Sequence, residues 1–282
     1  MVPVADAQRV RLAAVEETLF IPLTARAQET AKKRPLLRDP KAVEMAASID
    51  FDGTKYGKLT GRSAIVPRTA VLDFWVRTFL ADSPAGTVVD VGTGLNTRFE
   101  RLDNGTVHWV DMDLPETIEL RQHFFTDTDR RRMVASSVTD EAWLPIARET
   151  PGPYFFVIEG LLAYLEDDEA ELVLTRIAGQ FPGAFVAMDS YPRRTVDWLR
   201  RMTAKRGVTA LVRWGVDDPR SLERLGLRVV DSGTLTRPPR ALLAQWPIEH
   251  RIILPALDPI ASRVLPLFGK TFDMTLFRAT PA

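Results

Sequence analysis

The stretch with most chemical content is Val88-Val-Asp-Val-Gly92-Thr-Gly94-Leu-Asn-Thr-Arg98. An apolar run ends in an acid, two glycines flank one residue, and a helical pattern follows. Glycine admits positive φ and has no Cβ, so such a turn lets an adenosine-containing ligand approach the backbone closely. Two ligands compete for it. A dinucleotide wants a third glycine in G-x-G-x-x-G, where this chain has Thr97. S-adenosylmethionine carries no phosphate, and its ammonium and sulfonium attract the carboxylate of Asp90, which a pyrophosphate would repel. The sign of the charge favours the sulfonium ligand.

Two further acidic sites follow. Trp109-Val-Asp111-Met-Asp113-Leu-Pro115 places carboxylates about 20 residues after the glycine turn, where an acid can accept both hydroxyls of a ribose. Capping a helix that begins at Pro115 is the alternative use for either Asp. Phe156-Val-Ile-Glu159-Gly160 ends another apolar run in a carboxylate, at the edge where open α/β sheets bind ligands; a solvated turn acid has the same appearance.

These sites need a scaffold that brings strand ends together. β-rich apolar runs at 87–91, 107–110, 133–136, 154–158, 184–188, 227–230 and 271–277 alternate with helical patterns at 97–102, 115–125, 141–148 and 166–180. That alternation predicts seven strands in a largely parallel sheet covered by helices. Upstream, residues 5–47 carry helical spacing broken by Pro22, Pro35 and Pro40, residues 50–61 read as a connecting loop, and helical spacing resumes over 68–81. The expected organisation is an N-terminal helical cap region, 1–82, before a ligand-binding domain, 83–282. Long connections at about 191–226 and 233–270 are the expected lids.

Composition narrows the partners. Among 282 residues, 37 Lys and Arg balance 37 Asp and Glu, which argues against nucleic-acid binding, and the Arg-rich stretch 193–206 reads as a solvated helix face. Cysteine is absent, so thiolate metal sites and cysteine nucleophiles are excluded, and three separated histidines make a histidine metal site improbable. No apolar run is long enough to cross a membrane, and the first 30 residues lack a signal-peptide layout, so the expected location is the cytoplasm.

Taken together, 90–98, Val110-Asp-Met-Asp-Leu-Pro-Glu116 with Leu120-Arg121, and Ile158-Glu-Gly-Leu-Leu-Ala-Tyr-Leu165 resemble the leucine carboxyl methyltransferase family, most closely its bacterial small-molecule O-methyltransferase branch. Thr18–Ala27, Leu37–Ala42 and Pro67–Asp73 share the likeness, which spans nearly the whole chain. It implies a class I S-adenosylmethionine methyltransferase, a Rossmann-like α/β fold whose last strand is antiparallel. Carried over by position, Arg68 would grip the cofactor carboxylate, and Gly92 and Gly94 would line the methionine moiety. Asp113, with Asp111 beside it, would meet the ribose, Ser137 and Val138 would flank the adenine, and Glu159 would lie by the methionine portion. Ser137 and Asn96 each stand where the family commonly has Asp, and a hydroxyl is the weaker acceptor.

For the acceptor, the expectation is a small aromatic or polyketide-like metabolite methylated on a carboxyl or hydroxyl oxygen. The alternatives are a protein C-terminal carboxylate, or a scaffold that binds the cofactor without catalysis. His250, in the second lid connection, is the candidate base. Tyr191 and Trp246, with Trp198 and Trp214, are candidates for an aromatic substrate wall or for core. Oligomeric state is not legible.

Overall fold

The computed structural model describes residues 17–49, 62–204, 212–248, 250–253, 255–256 and 273–280. The loop expected at 50–61 and residues 257–270 of the second expected lid lie outside these residues. A seven-stranded sheet runs in the order β3-β2-β1-β4-β5-β7-β6, from β1 (Thr87–Val91), β2 (His108–Asp113), β3 (Arg131–Ala135), β4 (Tyr154–Ile158), β5 (Phe185–Ser190), β6 (Leu227–Thr234) and β7 (Asp273–Ala279). The first five strands pair in parallel, and β7 lies antiparallel between β5 and β6. The strand order reverses beside β1, whose neighbours are β2 and β4, so the switch point lies between β1 and β4.

Both faces of the central strands are covered, which is why β1, β4 and β5 read as largely apolar runs rather than alternations, while the edge strands β3 and β6 alternate between buried and exposed positions. One layer joins Val89, Val91, Val110, Met112, Phe156, Ile158 and Met188 to α6 (Trp143–Arg148) and α7 (Asp167–Gln180). The other joins Val88, Trp109, Phe155, Val157 and Ala187 to Trp75, Val76, Phe79 and Leu80 of α3 (Arg62–Asp82). α7 starts at a reciprocal capping box between Glu166 and Glu169, with three acids in its first turn complementing the helix dipole.

Several boundaries differ from the sequence expectation. β2 runs to Asp113 rather than stopping at Val110, so both of its acids are strand residues. The helix expected over 115–125 is α5, Pro115–Arg121. α3 begins six residues before the expected start and contains Pro67, while α1 (Glu17–Thr30) contains Pro22. A proline inside a helix costs about 3 kcal/mol. Here the flanking residues are buried together: Ala25 and Leu37 pack on Ile65 and Val66, a tertiary gain that local propensity cannot report. Pro40 instead opens α2 (Pro40–Ser48), whose N-cap Asp39 accepts from Ala42 N at 2.9 Å. The first long connection holds α8 (Arg193–Ala204) and a 3-10 stretch, Pro219–Leu225; the second holds α9 (Arg240–Leu243).

Candidate functional site

Side chains alternate along a strand, and that alternation collects the acids. Val89, Val91, Val110 and Met112 point to the α7 layer, so Asp90, Asp111 and Asp113 point to the α3 layer; Asp90 and Asp111 are register partners. Glu159 follows β4 with the parity of Val157, and Asp189 on β5 shares the parity of Ala187. Five carboxylates therefore meet on one face at the carboxyl edge. Left unpaired, such a cluster could not stay ionised in a buried place.

Guanidinium groups from four elements neutralise it. Glu159 is saturated: Oε1 accepts from Arg68 Nε at 3.0 Å and Thr69 Oγ1 at 2.7 Å, and Oε2 accepts from Asn96 Nδ2 at 3.1 Å and from Arg98 Nη2. Arg68 and Arg98 hold the Glu159 carboxyl well below the usual range despite its burial. Arg68 also donates from Nη1 to Asp189 Oδ2 at 3.1 Å, and Gly160 N donates to Asp189 Oδ1 at 2.6 Å. Arg98, on α4 (Arg98–Leu102), donates from Nη1 to Asp90 Oδ2 at 2.6 Å and from Nε to Asp73 Oδ1 at 2.8 Å. Asp73 lies four residues after Thr69 on α3, the spacing that puts both on one helix face.

Asp111 sits in its own pocket of donors. Its Oδ1 accepts from Thr93 Oγ1 at 2.9 Å and Trp109 Nε1 at 3.2 Å, and its Oδ2 accepts from Arg131 Nε at 2.7 Å, with Arg121 Nη2 at 2.9 Å. Asp113 differs from the other four: it makes no ion pair among the described residues. Its Oδ2 accepts from Gly94 N at 2.7 Å and its Oδ1 from Leu114 N at 2.8 Å. Burial pushes its carboxyl up from the ordinary value. Leu114, not Asp113, is the N-cap of α5, and it makes no side-chain cap bond, so the helix-capping alternative does not describe Asp113.

The glycine turn has the conformation its composition requires, with φ of +69° at Gly92 and +49° at Gly94. A Cβ at Gly92 would lie 2.8 Å from Leu161 Cδ2. Gly160, at φ +68°, packs under the Arg68 guanidinium, which a Cβ would meet at 3.2 Å. Around this turn Gly92, Asp113, Ser137, Glu159, Leu161 and Tyr191 are half-buried, while Asp90, Thr93, Thr97, Arg98, Asp111 and Arg121 are closed off behind them. The first set forms a rim and the second its foundation.

Several sequence assignments change accordingly. Asp90, 1% exposed, has Arg98 as its partner rather than a ligand cation, because strand parity turns it toward α3 and α4. Asp111 is likewise committed to Thr93, Trp109 and Arg131. Trp246 is 5% exposed and packs with Leu242 and Met274 against the α3 layer, and Trp214 lies in the opposite core layer, so for both the core alternative holds. Gly94 is buried, with α1 against it: a Cβ would meet Leu19 Cδ2 at 3.2 Å. Ser137 Oγ lies 2.8 Å from Thr139 Oγ1, and Val138 joins the α7 layer, its carbonyl 3.3 Å from Trp143 Nε1. His250 is half-buried beside Trp246, with a buried Nδ1 that has no hydrogen-bond partner among the described residues. His108 Nδ1 lies 3.3 Å from Ala85 O at the opposite end of β2, and His123 is exposed beyond α5.

Sequence reasoning gave no role to Thr69, Asp73, Asp189 or Asn96, nor a partner to Arg98. The i, i+4 spacing of Thr69 and Asp73 directly after Arg68 was the signal available. The others are recognisable only once β1, β4 and β5 are side by side.

An open α/β sheet of order 3-2-1-4-5-7-6, with a glycine turn at its switch point and an acid at the end of the next strand, defines the class I S-adenosylmethionine-dependent methyltransferases, and the chain is an enzyme of that class. The lining fits the cofactor, with the Asp113 carboxylate as acceptor beside a turn that carries no side chain at Gly92 and Gly94. The family model for leucine carboxyl methyltransferase matches residues 20–178, and the chain belongs to that family. It is similar to the tetracenomycin polyketide synthesis O-methyltransferase TcmP of Streptomyces glaucescens, at 36% identity over 77% of this chain and 80% of that protein. It is also similar to the S-adenosyl-L-methionine-dependent methyltransferase dpfgK of Gibberella zeae, at 28% identity over 77% and 80%. Among solved structures, a DUF574 family protein from Streptomyces avermitilis shares the fold with a TM-score of 0.55 at 16% identity, covering 92% of this chain and 97% of that one.

Proposed function

We propose that this enzyme methylates an oxygen, carboxyl or hydroxyl, of a small aromatic or polyketide-like metabolite. The similarity to an O-methyltransferase of polyketide synthesis over three quarters of the chain supports the oxygen acceptor and the substrate class. The observation that carries the site is Asp113, the one carboxylate of the five without an ion pair among the described residues, half-buried against the turn.

In this reading Asp113 accepts the ribose hydroxyls of the cofactor, Gly92 and Gly94 line its methionine moiety, and Ser137 and Val138 flank its adenine. Arg68 grips its carboxylate, with Glu159 beside the methionine portion. S-adenosylmethionine, when bound, supplies a methyl group that is already activated. The task left to the protein is alignment, which can contribute about 7 to 11 kcal/mol. Glu159 suits that task because four donors fix both of its oxygens before any ligand arrives.

Whether a base is needed depends on the acceptor. A carboxyl group is ionised at neutral pH, whereas a phenol with pKa about 10 is only about 0.1% ionised, a deficit of roughly 4 kcal/mol. His250 is the proposed base for a hydroxyl acceptor, and Tyr191 the proposed aromatic contact. Burial raises the Tyr191 phenol well above its ordinary value, so it stays protonated and acts as a donor or a packing surface.

The test is incubation of the enzyme with isotopically labelled S-adenosylmethionine and metabolite extracts, read by mass spectrometry. A labelled methyl on a carboxyl or hydroxyl oxygen of a small metabolite is expected. Labelling of a peptide C-terminus instead, or of carbon or nitrogen, overturns the assignment. Calorimetry with Asp113→Ala and Arg68→Ala tests the site; unchanged cofactor affinity in Asp113→Ala refutes it.

A further inference from the structure

Three consecutive carbonyls of the glycine turn are held from behind by two guanidinium groups. Arg121, at the end of α5, donates from Nη1 to Gly94 O at 2.7 Å and to Asn96 O at 2.9 Å. Arg26, on α1, donates from Nη2 to Leu95 O at 2.8 Å. Both side chains are closed from solvent. We infer that Arg26 and Arg121 are positioning residues that preset the cofactor-binding turn, so that α1 and α5 together fix the backbone on which the cofactor lies. The inference rests on the reading of the glycine turn as the cofactor site.

The physical argument follows from peptide planarity. Fixing the carbonyl of one residue fixes the plane that carries the N–H of the next. Holding the oxygens of Gly94, Leu95 and Asn96 therefore orients the N–H groups of Leu95, Asn96 and Thr97. Glycine at 92 and 94 makes the turn sterically possible but also broadens its conformational range, a cost that otherwise falls on binding. Charge-assisted bonds from a rigid fork oppose that freedom.

Each guanidinium is itself anchored. Arg26 Nε donates to Asp39 Oδ2 at 2.9 Å, and Asp39 Oδ2 also accepts from Thr97 Oγ1 at 2.5 Å, which closes a loop from α1 through the α2 N-cap back to the turn. Arg121 faces Asp111 at 2.9 Å, and its Cζ lies 4.6 Å from the Phe125 ring centroid. The same corner is sealed by an apolar cluster in which Leu95 packs on Phe20, Leu23, Ala42, Met45 and Leu120. A guanidinium serving only as a counter-ion would have no need to aim two N–H groups of one nitrogen at two main-chain oxygens.

The experiment combines amide hydrogen exchange over residues 92–98 in the cofactor-free enzyme with calorimetric cofactor binding, for wild type, Arg26→Gln, Arg121→Lys and Asp113→Ala. In the wild type the turn should be protected before cofactor arrives, and S-adenosylhomocysteine should add little. The two Arg variants should lose that protection and bind cofactor about tenfold or more weakly, as expected for loss of a charge-assisted bond. Their kcat at saturating cofactor should stay within about twofold of wild type, a split that general destabilisation would not produce. A wild-type turn that exchanges freely and gains protection only on binding overturns the inference, even if a variant fails to fold. So do folded Arg variants with unchanged exchange and Kd while Asp113→Ala weakens binding. If Asp113→Ala also leaves Kd unchanged, it is the site reading that fails, and wild-type exchange alone then decides whether the turn is preset.

Discussion

Nη1 of Arg98 lies 2.6 Å from Oδ2 of Asp90, and the same guanidinium bonds Asp73 and Glu159, so one cation joins β1, α3 and the residue after β4. Arg98 remains charged, its pKa raised by Asp90, Glu159 and Asp73 against the cost of burial. For the carboxylates the balance differs, and it differs between neighbours.

Burial dominates at Asp90, whose carboxyl is pushed up to about 6 from 3.8 despite Arg98. Between those two values the native state holds a proton that the unfolded chain has released. Stability contributed by this group therefore falls as pH rises from about 4 to about 6, by roughly 3 kcal/mol in all. Glu159, Asp73 and Asp111 have lowered pKa values and act in the opposite sense, their contributions being lost as pH falls below the ordinary carboxylate range. Urea unfolding of Asp90→Asn should show a flatter loss of stability between pH 5 and pH 6 than wild type, since the variant lacks the Asp90 titration while the raised carboxyls of Asp113 and Asp189 are common to both proteins. An unchanged slope would contradict the assignment.

Asp111 and Asp113, two residues apart, should separate stability from binding. Asp111→Asn removes the charge facing the buried Arg121 and Arg131 and should cost about 3 to 5 kcal/mol in unfolding free energy. Asp113→Asn removes no ion pair, so it should change stability by about 1 kcal/mol or less while weakening cofactor binding about tenfold or more. Chemical denaturation and calorimetry on the two variants check this; equal stability losses would refute it.

Glu159→Ala leaves Thr69, Asn96 and one donor each of Arg68 and Arg98 without their acceptor. A loss of about 3 kcal/mol or more is expected, by thermal or urea unfolding. Glu159→Gln keeps one carbonyl acceptor and should recover part of that loss, but not the cofactor affinity.

Gly92→Ala meets two separate obstacles: φ of +69°, and a Cβ 2.8 Å from Leu161 Cδ2. A cost of about 1 to 3 kcal/mol with loss of cofactor binding is expected. Adding Leu161→Ala relieves the contact and leaves the backbone strain, so the double variant should regain stability only in part. Full recovery would show that the turn does not need positive φ.

The periodic signals were readable where burial is symmetrical. β1 and β4 have the boundaries expected from their apolar runs, because both faces are covered and the single charged residue in either, Asp90, stands between two valines. In the sequence the apolar run of β2 stops at Val110, before two carboxylates that have the look of loop residues; inside the sheet, Arg131, Thr93 and Gly94 N satisfy Asp111 and Asp113. The helical spacing legible over 68–81 misses the first turns of α3, where packing of Ile65 and Val66 carries the helix through Pro67.

Composition and spacing alone were enough for the glycine turn, the strand–helix alternation and the acids at strand ends, since φ preference and side-chain periodicity are properties of neighbouring residues. Which carboxylate is a counter-ion and which faces the rim was decided by the fold. Asp90, Asp111 and Asp113 share one parity and one residue type, and they differ only in whether Arg98, Arg121 and Arg131 arrive from other elements to meet them. A carboxylate's charge state and availability depend on desolvation and on cations within a few ångströms, and those distances exist only in three dimensions.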